Sequence, residues 1–338
     1  MKSFDEPPVV LVTGGAGYIG SHTVRLLAEK GQRVIVLDNL VYGHREAILS
    51  KDVTLVEGDL SDPEVVDRLF EEYPIEAVIH FGAYAYVGES VTQPLKYYGN
   101  NTAAALTILR AMERKGCDKF IFSSTCATYG NPVKVPMNED HTQDPINPYG
   151  RSKLMLEWIL RDCSAAFGLR SVSLRYFNAS GCSADGMIGE DHDPETHLIP
   201  NVLMAATGER DKVSVFGTDY DTPDGTCIRD YIHVEDLATA HLCALDYLRQ
   251  GGETTAVNLG TGDGVSVKEI IQIAEDVCGK EIPLEYGDRR EGDPPRLLAD
   301  PAKAKEVLGW EAQHKDVRVA IENAWQWMTG PKNGRYKA

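Results

Sequence analysis

The sequence has few of the features that mark secreted, membrane-spanning or metal-binding proteins. Its seven cysteines are far apart and include no CxxC pair, so we expect reduced thiols in a cytoplasmic protein rather than a disulfide framework. No uncharged apolar run approaches the roughly 18 residues of a membrane span, and the opening MKSFDEPP lacks the basic and apolar regions of a signal peptide. The nine histidines show no HExxH or comparable ligand spacing, which predicts that the protein holds no metal.

Positive charge is also scarce. The chain has 34 Lys and Arg against 51 Asp and Glu, a formal net charge of -17. An acidic surface keeps a protein in solution but repels phosphate backbones and anionic lipids. We therefore expect no nucleic acid and no membrane among its partners.

The sequence does contain an alternation of short β-branched runs with amphipathic helical patterns. Helical patterns cover about 18–30, 63–72, 100–114 and 149–167, and the runs between them are Val9 to Val12, Val34 to Leu37, Val53 to Val56, Ala77 to Ile79, Phe120 to Phe122 and Val172 to Leu174. Strands that alternate with helices predict a parallel sheet covered on both faces, which is a doubly wound, Rossmann-type α/β fold.

The alternation weakens after about residue 178, where glycine, proline and acidic residues crowd the chain. This change predicts a first domain over 8–178 and a smaller, irregular α/β domain that occupies mainly 179–338. A segment near 226–262 is expected to rejoin the first sheet, because Val257 to Leu259 is typical of a buried strand.

A glycine-rich segment directly follows the first strand and opens a helix. Gly14 permits the tight turn, Gly17 lets the backbone approach a pyrophosphate, and Gly20 permits close packing of helix and strand. The second strand ends at Asp38, where a carboxylate can accept from an adenosine ribose diol and repel a 2′-phosphate. The pattern predicts that the 8–178 domain binds NAD rather than NADP. Asp59, after the third strand, suits either an adenine contact or a helix cap.

Tyr149 and Lys153 stand four residues apart at the start of a helical pattern, so they share one face of the helix. Such a pair is often merely exposed, but here Thr125 ends the preceding strand, at the sheet edge where ligands bind. A neighbouring ammonium, a cationic nicotinamide ring and the helix N-terminus would each favour tyrosinate. With Thr125 orienting a hydroxyl, this set predicts hydride transfer to or from a carbinol carbon.

At this point the chain resembles the extended short-chain dehydrogenase/reductases, and among them most closely the UDP-glucose 4-epimerase family, from about Val9 to Trp327. The resemblance lies in TGGAGYIGSHT from Thr13, VGES from Val87, FSS from Phe122, PYGRSK from Pro148, RYFN from Arg175, GT-x-x-RDYIHV from Gly225, NLG-x-G from Asn258 and RREGDP from Arg289. It implies inversion of C4 of a UDP-sugar through a transient 4-keto intermediate with bound NAD, as in UDP-glucose/UDP-galactose interconversion. It also implies that 179–338 mainly binds the UDP-sugar, and that a homodimer forms through the helices near 100–114 and 149–167.

The resemblance assigns roles position by position. Thr125, Tyr149 and Lys153 would be catalytic and would also touch the cofactor. The other cofactor residues would be Gly14, Gly17, Tyr18, Ile19, Gly20, Asp38, Asn39, Asp59, Leu60, Phe81, Gly82, Ala83, Asn100, Tyr176 and Phe177. The substrate would meet Thr125, Tyr149, Asn178, Leu198, Phe216, Arg229, Arg290, Asp293 and Leu297. Of these, the two arginines would hold the diphosphate, Asp293 the uridine ribose, and Leu297 would narrow the sugar pocket.

Two departures from the family pattern leave alternatives open. Ala85 stands where many members carry a lysine near the nicotinamide ribose. The stretches 123–130 and 85–88 are similar to plant UDP-arabinose 4-epimerases, so a UDP-xylose/UDP-arabinose pair is the alternative substrate. A sugar-nucleotide 4,6-dehydratase would need Asp-Glu immediately after Thr125, where Cys126-Ala127 stands. An NAD-sensing binding module would have no need of Tyr149 and Lys153.

Overall fold

The computed structural model describes residues 7–290 and 292–336. The first six residues, which belong to the opening searched for a signal peptide, lie outside these ranges, and so does Glu291 of the RREGDP segment. In the first half of the chain the elements are β1 (Val9–Thr13), α1 (Tyr18–Glu29), β2 (Arg33–Asp38), β3 (Thr54–Glu57), α2 (Pro63–Glu72), β4 (Ile75–His80), α3 (Val87–Thr92), α4 (Pro94–Tyr97), α5 (Ala105–Lys115), β5 (Lys119–Thr125), α6 (Pro148–Phe167) and β6 (Arg170–Tyr176).

The second half has shorter strands between its helices. Its elements are β7 (Asn178–Ser180), α7 (Leu198–Thr207), β8 (Val213–Phe216), β9 (Ile228–Arg229), β10 (Tyr231–His233), α8 (Val234–Arg249), β11 (Thr255–Leu259), β12 (Val265–Ser266), α9 (Val267–Cys278), β13 (Leu284–Gly287), β14 (Arg296–Leu297), α10 (Ala302–Leu308) and α11 (Val317–Thr329). Among the described residues, no helix is both long enough and apolar enough to cross a membrane.

A seven-stranded sheet in the order β11-β6-β5-β4-β1-β2-β3 lies at the centre of the fold. All of its pairings are parallel, so the predicted doubly wound sheet is confirmed. The strand order reverses between β1 and β4. In such sheets the crevice for a ligand opens at this reversal, outside the carboxyl ends of the strands.

Both faces of the sheet are buried, which explains why its strands are apolar without alternation. On β1, Val10 and Val12 belong to the core on one face, while Val9 and Leu11 belong to the core on the other. The first core is covered by α1 and α8, and the second by α2, α5 and α6. The rigid sheet that results fixes the position of every strand end around the crevice.

The remainder of the chain packs beside the carboxyl edge of this sheet. Three small sheets, β10-β7, β12-β9-β14 and β13-β8, surround a third core formed with α7, α9 and α11, in which Trp327 is 1% exposed. β11 belongs instead to the central sheet, where its residues 255–259 pair with 172–176 of β6. The chain therefore crosses between the two regions more than once, and the crevice lies between them.

Candidate active site

The crevice at the strand reversal has a volume of about 1060 Å³, at the upper end of the range for small-molecule sites. Its walls come from the carboxyl ends of β1, β2, β4, β5 and β6, from the residues before α7, and from β14. A cavity of this size leaves room for a second ligand beside a dinucleotide.

The glycine segment is shaped for close approach of backbone and ligand. A Cβ on Gly14, whose φ is +69°, would lie 2.6 Å from the backbone nitrogen of Gly82. A Cβ on Gly20 would lie 2.3 Å from the carbonyl oxygen of Gly14. Gly17 lines the crevice at the N-terminus of α1, where free N–H groups and the helix dipole favour an anion. These residues fit the pyrophosphate of NAD.

Asp38 ends β2 at the crevice wall. Its carboxylate accepts hydrogen bonds from the backbone N–H of Ala16 and of Leu40, each at 2.9 Å. Burial raises the pKa of Asp38, and the two backbone donors act in the opposite direction. The carboxylate thus braces the glycine segment and has further lone pairs for a ribose diol.

We expect Asp38→Ala to raise the Kd for NAD by about tenfold or more, because a hydrogen bond to a charged group contributes about 1.5–3 kcal/mol. The ratio of NADP to NAD affinity should rise, because the negative charge that repels a 2′-phosphate is lost. Asp38→Asn is the matched control, since it deletes the charge and keeps one oxygen acceptor. Titration of both dinucleotides into each variant measures the two effects. An unchanged NADP/NAD ratio in both variants would place Asp38 away from the ribose.

The three predicted catalytic residues meet at the crevice. Thr125 ends β5, and its side chain accepts from the backbone N–H of Ala127 at 3.1 Å. The Lys153 ammonium donates to the carbonyl of Ser123 at 2.8 Å and lies 5.9 Å from the ring centroid of Tyr149. All three side chains line the crevice, so the end of β5 and one face of α6 border the same part of it.

The start of α6 holds Tyr149 against the end of β5. Asn147 caps the helix by accepting from the backbone N–H of Gly150 at 2.8 Å, and Pro148 occupies the first turn. A Cβ on Gly150 would lie 2.4 Å from the carbonyl oxygen of Ala127. Glycine at this position therefore lets the helix approach the segment after Thr125 closely enough for Tyr149 to share its site.

Burial acts on both members of the Tyr149–Lys153 pair. Burial raises the pKa of Tyr149 to about 12, although a hydrogen bond with Thr125 partly lowers this pKa. It also lowers the pKa of Lys153 to about 7. Tyrosinate and ammonium in one site would each offset the burial cost of the other.

A buried polar network lies between β5, β6 and α6. Glu157 on α6 accepts from the Ser124 hydroxyl at 2.6 Å and forms an ion pair with Arg175 at 2.6 Å. Arg175 also donates to the Tyr129 hydroxyl at 3.0 Å. Because every charge in it is paired and hydrogen-bonded, this network ties β5, β6 and α6 together behind the site.

Cationic and acidic side chains lie at the opposite end of the crevice. Arg229, only 9% exposed, forms an ion pair with Asp293. Its neighbour Asp230 instead accepts three backbone N–H groups, from Thr261, Gly262 and Ala299, so the two are not a surface ion pair. The guanidinium of Arg290 lies 4.1 Å from the ring centroid of Phe216. These residues form a polar end to which an anionic group fits.

Most of the predicted site residues border this one crevice. Those that line it are Gly14, Gly17, Tyr18, Ile19, Gly20, Asp38, Asn39, Leu60, Phe81, Gly82, Ala83, Asn100, Thr125, Tyr149, Lys153, Tyr176, Phe177, Asn178, Arg290, Asp293 and Leu297. Four lie just behind or beside it. Asp59 accepts from the lining residue Asn39 at 3.1 Å. Arg229 contacts Asp293, and Phe216 contacts Arg290. Leu198 follows the lining residue His197.

Sequence reasoning did not single out several residues that also line the crevice. They include Tyr42, Tyr84, Tyr86, Glu190, His192 and His197. Ala85 stands where many family members carry a lysine, and Tyr84 precedes it in the sequence. The Lys96 ammonium lies 4.4 Å from the ring centroid of Tyr84 and 2.8 Å from Glu89. The spacing of Glu and His between residues 190 and 197 was a visible signal, but it matches no common ligand motif.

Comparison with known proteins agrees with this geometry. The chain belongs to the NAD dependent epimerase/dehydratase family, whose model matches residues 10–260. A UDP-glucose 4-epimerase of Halalkalibacterium halodurans is 51% identical over 318 residues, which cover 94% of this chain and 95% of that protein.

Solved structures give the same result. A UDP-glucose 4-epimerase from Brucella ovis in complex with NAD is 51% identical, has a TM-score of 0.92, and matches over 94% of this chain and 98% of its own. A UDP-glucose-4-epimerase from Stenotrophomonas maltophila with bound NAD and formylated UDP-arabinopyranose is 39% identical, with a TM-score of 0.91 and coverage of 95% and 98%. This chain is thus an NAD-dependent epimerase, and the proteins it resembles over nearly its full length are UDP-glucose 4-epimerases.

Proposed function

We propose that this protein interconverts UDP-glucose and UDP-galactose by inverting C4 of the sugar. The observation that carries the proposal is the convergence of Thr125, Tyr149 and Lys153 on a crevice large enough for NAD and a second ligand. A polar end with Arg290 and the Arg229–Asp293 pair provides cationic groups for a diphosphate. Such a reaction would serve galactose metabolism and the supply of nucleotide sugars.

The catalytic residues support both directions of the reaction. NAD, held by Gly14, Gly17 and Asp38, would supply the hydride chemistry at C4, with the hydride leaving one face of the sugar and returning to the other. Tyr149 takes the proton of the 4-hydroxyl through its phenolic oxygen and gives it back in the second half. Lys153 stabilises the tyrosinate, and Thr125 orients the sugar hydroxyl. No net oxidation results, because the hydride and the proton both return to the substrate.

The inversion requires that the sugar turn over while the rest of the substrate stays fixed. We propose that Arg229 and Arg290 hold the diphosphate and Asp293 the uridine ribose, with Asn178, Leu198, Phe216 and Leu297 around the nucleotide sugar. Residues 179–338 would then mainly bind the substrate, and 8–178 the cofactor. Arg229 would exchange its contact with Asp293 for phosphate oxygens, which suit its planar fork.

The alternative substrate is the UDP-xylose/UDP-arabinose pair. The Stenotrophomonas protein was solved with a UDP-arabinopyranose derivative, and the 85–88 and 123–130 stretches favour the same class. UDP-pentoses lack the C6 hydroxymethyl group, so they would make fewer contacts than UDP-hexoses in the same pocket. We therefore expect kcat/KM for UDP-galactose to exceed that for UDP-arabinose.

The test is an assay of the purified protein with each UDP-hexose and each UDP-pentose, without added NAD. Formation of UDP-glucose from UDP-galactose supports the proposal. A faster reaction with the pentose pair would establish the alternative. Loss of water with formation of a 4-keto-6-deoxy sugar would identify a dehydratase, and absence of any turnover with NAD bound would favour a sensing module.

We also propose that the protein is a cytoplasmic homodimer. All seven cysteines lie in the described part of the chain and are free thiols. Met155 and Trp158, three residues apart on one face of α6, are 37% and 49% exposed. A symmetric contact between α5 and α6 of two copies would cover them. Sedimentation velocity measures the assembly directly.

A further inference from the structure

Four possible metal ligands come together in the segment that leads into α7. They are Glu190, His192, Glu195 and His197, and one nitrogen or oxygen atom of each lies within 4.8 Å of those of the other three. Nδ1 of His192 is 3.0 Å from Glu190 and 3.8 Å from Glu195. Nδ1 of His197 is 2.7 Å from Glu190 and 3.0 Å from Glu195. Each histidine thus faces both carboxylates.

These separations match a tetrahedral coordination shell. Zinc bonds to nitrogen and oxygen of about 2.0–2.1 Å place neighbouring ligand atoms of a regular tetrahedron about 3.3 Å apart. The four nitrogen–oxygen distances lie on either side of that value, with His192 facing one oxygen of Glu195 and His197 facing the other. Since all four ligand atoms lie within 4.8 Å of one another, side-chain movements would be sufficient to close them around a metal. Two carboxylates with two neutral imidazoles would also balance its double positive charge.

A separate observation comes from Tyr86. Its side chain is 8% exposed, and its hydroxyl is buried without a hydrogen-bond partner among the described residues. Its ring stands edge-on to that of His192, with centroids 6.0 Å apart. The buried, unpartnered hydroxyl thus belongs to a ring that packs directly against one of the four candidate ligands.

We propose that Glu190, His192, Glu195 and His197 bind one divalent transition-metal ion of the zinc type, with the ring of Tyr86 packed against the ligand His192. Imidazole nitrogen with carboxylate oxygen is a donor set that suits zinc and its neighbours rather than calcium or magnesium. The ion takes no part in hydride transfer. The ion restricts the movement of segment 190–197, which borders the crevice and directly precedes α7.

The metal would connect the two regions of the fold. Tyr18, in the glycine segment, has its ring edge-on to His192 at 6.1 Å and donates through its hydroxyl to the carbonyl of Gly181 at 2.5 Å. A metal on His192 therefore stiffens the wall that the cofactor side and the substrate side of the crevice share. Its expected effect is on thermal stability and on substrate KM rather than on the chemical step.

Another group of three, His233, Glu235 and His314, is less suitable. Nδ1 of His233 accepts from the backbone N–H of Glu235 at 3.1 Å, and its Nε2 lies 3.2 Å from Asn323. Nδ1 of His314 lies 3.1 Å from Asp236. Three of these four ring nitrogens are engaged by a backbone N–H, by Asn323 or by Asp236, none of which is a side-chain ligand of this group, whereas Nδ1 of His192 and of His197 faces the carboxylates of the proposed site. His314→Gln is therefore a matched control for loss of a histidine outside that site.

The test uses the purified enzyme with its bound NAD, treated with EDTA and then titrated with Zn²⁺ alone by calorimetry. We expect one Zn²⁺ per chain, a zinc-dependent rise in unfolding temperature, and the visible spectrum of tetrahedral Co²⁺ when cobalt replaces zinc. His192→Ala and Glu195→Gln should each weaken zinc binding by about tenfold or more, while His314→Gln binds as the wild type does. Circular dichroism shows whether each variant is folded.

Three outcomes would overturn the proposal. The first is a wild type that binds no Zn²⁺ after EDTA treatment. The second is a folded His192→Ala/Glu195→Gln double variant that binds it equally well. The third is loss of binding in His314→Gln alone, which would place the metal in the other group.

Discussion

Tyr149→Phe is expected to lower kcat by about 10²–10⁴-fold, the usual contribution of a positioned proton-transfer group. The change removes one phenolic oxygen and leaves the ring, which lies 6.5 Å from that of Tyr97. The fold and the Kd for NAD should therefore change little. Steady-state kinetics with UDP-galactose and a dinucleotide titration measure the two quantities separately.

Tyr247→Phe is a matched control, because it deletes a hydroxyl that accepts from the backbone N–H of Glu253, and Tyr247 is not among the residues that line the crevice. It should leave kcat within about twofold, as expected for a surface change of small energy. A loss of less than about tenfold in Tyr149→Phe would mean that another group moves the proton. A parallel loss of NAD binding would mean that the residue acts mainly through the cofactor.

The central sheet could be predicted from the sequence because local pattern determines it. Strands such as Val9–Thr13 are apolar on both faces, and the glycines after them specify a turn and a helix start in a few consecutive residues. The Tyr149 and Lys153 pair could be found for the same reason, since four residues of helix place them on one face. Local spacing was sufficient for these features.

Features that depend on distant residues could not be predicted in this way. The partner of Arg229 is Asp293, 64 residues away, although Asp230 is its neighbour in sequence. The Glu157–Arg175 ion pair joins α6 to β6, an interior strand, between residues 18 positions apart in the sequence. The Glu and His residues at 190–197 lie in a segment without helix or strand, so no periodicity shows which of them face one another. The absence of HExxH therefore said nothing about this group.

Leu297 borders the crevice, and we expect its side chain to limit the width of the proposed sugar pocket. Leu297 lies in β14, where it pairs with Arg229. Its half-buried side chain packs against the cluster of Tyr129, Met137, Phe177 and Ala299, as does the side chain of Cys126. Thr125, Cys126 and Leu297 line the same crevice, so in the proposed substrate complex Leu297 would lie beside the sugar. A 2-acetamido group would add several heavy atoms to that sugar, and the packed leucine would leave it little room.

We therefore expect kcat/KM for UDP-glucose and UDP-galactose to exceed that for their N-acetyl counterparts by roughly ten- to two-hundredfold, because overpacking costs about 1–3 kcal/mol. Leu297→Ser should raise N-acetyl activity, since it removes the branched side chain. Leu297→Met is the matched control, because it conserves volume and should retain the preference. The measurement is kcat/KM for both substrate classes in the three proteins. Equal activities in the wild type, or no gain of N-acetyl activity in Leu297→Ser, would show that the pocket width is set elsewhere.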